Sequence, residues 1–104
     1  MSNMNELMRQ AARVQRKIAA INEEMKTREW TAKVAGDRVA ASVTGERKVS
    51  RVEVDPEFWK TEEREVVLDA IAAAVNAAQE LCEKEIEAEI KKATGGLKIP
   101  GITG

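Results

Sequence analysis

Histidine is absent from the 104-residue chain and cysteine occurs once, at Cys82. These shortages exclude zinc sites of the usual Cys/His kind, Ser-His and Cys-His nucleophile pairs, and any intrachain disulfide. No apolar run approaches about 18 residues, so no membrane span is expected. The opening MSNMNELMRQ lacks the build of a signal peptide, and with a lone thiol the composition points to a cytoplasmic protein. Aromatic material is equally scarce, being limited to Trp30, Phe58 and Trp59. Much of the remaining apolar fraction is alanine, so one copy has little with which to fill a core and burial by a partner chain is expected. There is no overall basic excess to attract nucleic acid either, since the net charge is −1.

Charge is nevertheless abundant, at 34% of residues, and it is unevenly placed. Residues 5–28 carry a local balance of +3, whereas residues 61–93 carry −5. A chain so polarised can bind an anionic polymer at one end, because screening over about 8 Å at physiological salt hides the distant acidic segment. The length suits one domain, read as residues 1–94, followed by a flexible tail over residues 95–104.

Met4, Leu7, Ala11, Val14, Ile18, Ile21 and Met25 recur at alternating spacings of three and four, which predicts an amphipathic helix over Asn5 to Arg28. Such a helix runs roughly 36 Å, against about 26 Å for the diameter of a 100-residue globule. It must therefore project or pair. Lengthwise packing on its own domain competes with an intermolecular coiled-coil seam, and the heptad spacing favours the seam, with Leu7, Val14, Ile18, Ile21 and Met25 at a dimer interface.

The period then changes. Trp30, Ala32 and Val34, next Val39, Ala41 and Val43, and last Val52 and Val54 alternate as strands do. Gly36-Asp37 and Gly45-Glu46-Arg47 connect them, which makes an antiparallel meander the simplest sheet. Asp55-Pro56 stops the third strand, and both residues suit the start of a short helical turn. A second long helix is expected from Thr61, with Glu62, Glu63 and Glu65 in its first turn and Lys91 and Lys92 in its last. Its buried stripe reads Val67, Ile71, Ala74, Val75, Ala78, Leu81, Cys82, Ile86 and Ile90, and Gly95-Gly96 ends it. The fold class is α+β: long N-terminal helix, three-stranded antiparallel sheet, long C-terminal helix.

Few residues are placed to do chemistry. Glu83 with Glu87 and Glu85 with Glu89 pair carboxylates at helical spacing, but Lys84 and Lys91 convert Glu80–Lys84 and Glu87–Lys91 into surface ion pairs. Cys82 lies within the apolar stripe and reads as a buried thiol. No glycine pattern forms a phosphate-binding loop. No catalytic residue, metal, cofactor or small-molecule substrate is implied. Arg9, Arg13, Arg16 and Lys17 are the constellation with a plausible ligand: they share one helix face off the apolar seam, and arginine's planar donors suit phosphate. A solubilising surface is the competing account of those four charges.

Read in order, MNELMRQAARVQRKI, VAGDRVAASVTGERKVSRVEVDPEFW and LDAIAAAVNAAQELCEKEI resemble the YbaB/EbfC family of bacterial nucleoid-associated proteins over nearly the whole length. The most specific pieces are LMRQAARVQ, VTGERKVSRVEVDPE and AAAVNAA with Asn76. The resemblance implies an intertwined homodimer with projecting helices that binds double-stranded DNA with little sequence preference, located on the nucleoid. Two features depart from the family pattern: no glycine-rich leader precedes the first helix, and the second helix is strongly acidic. The DNA-contacting role is accordingly carried over only to Arg9, Arg13, Arg16 and Lys17. A dimeric scaffold that binds another protein through its helices, sheet edge or tail is the alternative.

Overall fold

Six elements follow one another: α1 (Asn3–Met25), β1 (Glu29–Val34), β2 (Val39–Thr44), β3 (Val49–Val54), α2 (Pro56–Thr61) and α3 (Arg64–Thr94). They are those of a computed structural model, which describes residues 3–95. The α+β order is the one expected, and the sheet is an antiparallel meander in the order β1-β2-β3. The flexible tail expected from residue 95 lies, Gly95 apart, outside the described residues.

Alternation sorts the sheet into two faces. Trp30, Val39, Ala41 and Val43 point to one side and are buried beneath α3. Thr31, Lys33, Ala40, Ser42, Arg51 and Glu53 line the other side, a shallow polar face on which the Thr31 and Ser42 hydroxyls sit 2.7 Å apart. The helix covers β1 and β2 more than β3, whose Val49 and Val52 stay exposed. A one-residue irregularity between the β2–β3 partners of Ser42 and Val43 places Ser50 opposite no partner of its own.

Two buried clusters make the core. Met25, Trp30, Val43, Ala78, Cys82 and Ile86 form one, with Ile21, Ala32 and Ile90 against it. Val39, Ala41, Phe58, Val67 and Ala74 form the other, with Val34, Val54, Ala70, Ile71 and Val75 around them. Alanine at the tightest α3 positions, Ala74 and Ala78, lets the helix lie close on β2.

Two boundaries and the burial of one residue differ from the sequence reading. The first helix stops at Met25, short of Arg28, because the β2–β3 turn presses on its end: a Cβ on Gly45 would collide with the Met25 carbonyl. The Gly45 amide donates to the Arg28 carbonyl at 3.2 Å, which draws the chain out of the helix and into β1. Thr61 closes α2 and does not open the long helix; α3 begins at Arg64 with Glu63 at its N-cap, so of the three glutamates only Glu65 lies in the first turn. Leu81 is exposed, since it sits about 100° round the helix from Cys82 and off the sheet-facing stripe. Two ends match: the Asp55 carboxylate accepts from the Glu57 amide at 3.0 Å ahead of Pro56, and Gly95 closes α3 in the left-handed conformation.

The molecule is long. Its principal extents are 72 × 20 × 17 Å, while α3 accounts for about 46 Å at 1.5 Å per residue. The Met25 end of α1 belongs to the cluster around Cys82 and Ile86, and Ile21 one turn earlier in α1 and Ile90 one turn later in α3 both pack against that cluster. The helix therefore runs back past the end of α3, and its first turns project by about 25 Å.

Candidate nucleic-acid interface

Arg9, Arg13, Arg16 and Lys17 all lie exposed on α1. At about 100° per residue they fall within an arc of about 100°, on the side of the helix away from Leu7, Val14 and Ile18, and they cover about 12 Å of its axis. Among the described residues none of the four enters an ion pair. The cations nearer the end of the helix are engaged. Lys26 meets Glu23 at 2.9 Å, and that hydrogen bond, reinforced by the charge of the same carboxylate, raises its pKa above the usual 10.5. Arg28 lies 3.8 Å from Glu85 and stacks over the Trp30 ring at 4.9 Å. The cations of this segment thus divide into two just past the end of α1, of which Lys26 pairs with the helix's own Glu23 and Arg28 reaches Glu85 on α3, and the four on the helix itself, which pair with no carboxylate among the described residues.

The five apolar residues expected at a seam divide as well. Met25 is buried in the chain's own core and Ile21 packs against that core, whereas Val14 and Ile18 are half-buried and Leu7 is exposed. Met4, Leu7 and Met8 expose 70%, 59% and 64% of their surface at the projecting end. Lengthwise packing on the chain's own fold therefore holds at the Met25 end of α1, while the apolar side of its first turns lies exposed.

The acidic helix is occupied by its own pairs. Glu80 meets Lys84 at 3.1 Å as expected, but Glu87 and Lys91 form no ion pair, and Lys92 instead approaches Glu89 at 3.6 Å. Among the described residues no group of three or more Cys, Asp or Glu side chains converges as a metal site would. Cys82 is fully buried. Its sulfur accepts from the Arg47 guanidinium at 3.1 Å and faces the Thr44 carbonyl at 3.7 Å, while Gln79 donates to the Arg47 carbonyl at 3.0 Å. These bonds hold the β2–β3 turn on α3.

One feature had no signal in the sequence reading. Trp59 and Leu68, with Glu62, Arg64 and Val67, line an open cleft of about 290 Å³ where α2 meets the start of α3. Among the described residues no helix is long and apolar enough to cross a membrane.

A two-layer α+β fold with a projecting helix, whose exposed face bears four cations without ion-pair partners among the described residues, defines the class: a small α+β protein with a basic arm. The chain belongs to the YbaB/EbfC DNA-binding family, whose profile matches residues 1–97. It is 37% identical to a nucleoid-associated protein of Clostridium acetobutylicum, over 96% of this chain and 89% of that one. It is 39% identical to another of Pseudomonas fluorescens, over 90% and 87% respectively. Among solved structures, an uncharacterised Helicobacter pylori protein shares the fold with a TM-score of 0.60 at 18% identity, covering 71% of this chain and 86% of that chain.

Proposed function

We propose that this chain works as a nucleoid-associated homodimer, neutralising the phosphates of double-stranded DNA with the basic faces of its two α1 helices and thereby bridging or bending duplexes. The observation that carries this reading is the cluster of Arg9, Arg13, Arg16 and Lys17, exposed on one face of a projecting helix and without ion-pair partners among the described residues. Membership of a DNA-binding family supports it, as do relatives named nucleoid-associated proteins. Arginine forks on phosphate oxygens give affinity without reading bases, so sequence preference is low. The role is one of binding, with no catalytic turnover, no cofactor and a place on the nucleoid. The second chain covers the apolar side of the arm, around Leu7, Val14 and Ile18.

A salt series of duplex binding tests this. Each phosphate neutralised contributes about −0.9 to the slope of log K against log salt, so a dimer lacking Arg9, Arg13 and Arg16 should lose up to about five units of slope. Lys84→Ala, whose lysine is held by Glu80, should change little. A triple variant with wild-type affinity and slope would remove α1 as the DNA surface. The exposed cleft at Trp59 and Leu68 would then favour the scaffold reading, in which the dimer binds another protein.

A further inference from the structure

The chain holds three aromatic residues and leaves one of them in water. Phe58 turns from α2 into the core, which carries its neighbour Trp59 about 100° round that helix and leaves it 60% exposed. Across the cleft stands Leu68, 51% exposed, with the buried Val67 beneath. Glu62 and Arg64 complete the lining. On α3, Glu65 and Asp69 lie one turn apart, each within about 100° of Leu68 round the helix. Residues 57–69 carry a balance of −3. Their five carboxylates, Glu57, Glu62, Glu63, Glu65 and Asp69, are exposed and form no ion pair among the described residues.

An apolar slot with a rim of carboxylates repels nucleic acid and anionic lipid, and receives apolar side chains carried among cations. At about 290 Å³ it takes the side chains of a short helix or extended segment, not the broad face of a domain. We propose that the Trp59–Leu68 cleft docks a short basic segment of another protein, with an apolar anchor seated between the indole and Leu68 and flanking lysines or arginines against Glu62, Glu65 and Asp69. Tryptophan is the residue type on which interface energy concentrates, and here it stands at the mouth of the slot. Within one chain the cleft lies at the start of α3, about 46 Å from its far end, past which the basic arm projects. That distance is several times the screening length of about 8 Å, so the cations of the arm leave the acidic rim unneutralised. The inference goes beyond the DNA reading and does not rest on it, since the cleft shares no residue with the basic face of α1.

Indole fluorescence, without DNA, tests the contact. In the full chain carrying Trp30→Phe, Trp59 is the only indole and reports on the cleft alone. The probe is a synthetic helical peptide with leucine at every third or fourth position and lysine elsewhere. Its addition should shift Trp59 emission to the blue and protect it from acrylamide quenching, saturating at one peptide per chain. Glu62→Gln with Glu65→Gln, or Leu68→Ser, should each weaken binding about tenfold in variants shown by circular dichroism to be folded. Glu83→Gln with Glu87→Gln, further along α3, should leave it unchanged. No shift at any peptide concentration would overturn the proposal. So would equal binding of a peptide with alanine in place of leucine, which would reduce the contact to charge alone, or equal binding by the Glu62/Glu65 variant. Trp59 already blue and protected in the protein without peptide would overturn it in favour of a cleft that this chain or a second copy covers. Removing Arg9, Arg13 and Arg16 should leave peptide binding intact, so this test and the salt series fail separately.

Discussion

Gly45 is the residue on which the junction of helix and sheet depends. Its lack of a side chain lets the β2–β3 turn lie against the Met25 carbonyl, and its amide ties that turn to Arg28. Gly45→Ala forces the turn and the helix end apart, at an expected cost of about 2 kcal/mol by urea denaturation. Trp30 makes a different case. It is 3% exposed, and its indole Nε1 is buried with no hydrogen-bond partner among the described residues. A phenylalanine there gives up some packing but also removes an unsatisfied donor. Trp30→Phe should therefore cost about 1–2 kcal/mol, well short of the roughly 3–5 kcal/mol of Trp30→Ala. Equal losses for the two variants would show that the indole nitrogen is satisfied in solution.

At the scale of elements, α2 is the piece whose existence rests on its cap. Six residues hold few internal hydrogen bonds, so the bond from the Glu57 amide to the Asp55 carboxylate and the fixed backbone of Pro56 carry much of its start. Asp55→Ala should lower stability by about 1 kcal/mol. Asp55→Asn keeps the capping oxygen and surrenders only the exposed 3.8 Å pairing with Arg38, so it should recover most of that loss. Elements also show what a sequence displays and what it hides. The strands were legible because Trp30, Ala32 and Val34 or Val39, Ala41 and Val43 state their period within a few residues, and the Asp55-Pro56 cap is equally local. The basic face of α1 was legible for the same reason. The end of α1 was not: apolar spacing and helix-compatible residues continue into Lys26, and what stops the helix is Gly45, 20 residues further on. The cleft was hidden because Trp59 and Leu68 belong to different helices, and the angle between helices leaves no mark on either segment.

At the scale of the whole molecule, the proposed homodimer rests on how much apolar surface one chain leaves in water: Met4, Leu7 and Met8 on α1, Val49 and Val52 on β3, and Leu81 on α3. Ile18→Asp puts a charge on the half-buried side of the arm, between the exposed Met8 and the anchored Met25. Sedimentation equilibrium should then report monomer mass where the unaltered protein gives twice that value. An Ile18→Asp chain that kept the dimer mass and melting temperature would show that this side of α1 faces no partner. The bipolar charge works on the same scale. Arms whose Arg9, Arg13, Arg16 and Lys17 form no ion pair among the described residues extend away from an α3 whose carboxylates are partly met by Lys84, Lys92 and Arg28, which is why the proposed function puts the duplex on the arms.

The length of the chain also governs how it moves through solvent. A radius of gyration of 19.2 Å belongs to a body 72 Å long and under a third as wide, whereas a compact chain of 100 residues has a radius of about 13 Å. A rod of that kind drags more water than a sphere of equal mass. It leaves a gel-filtration column early and sediments slowly, so a single chain would pass for a pair on a column calibrated with globular standards. Only a measurement of mass that is blind to shape counts its chains.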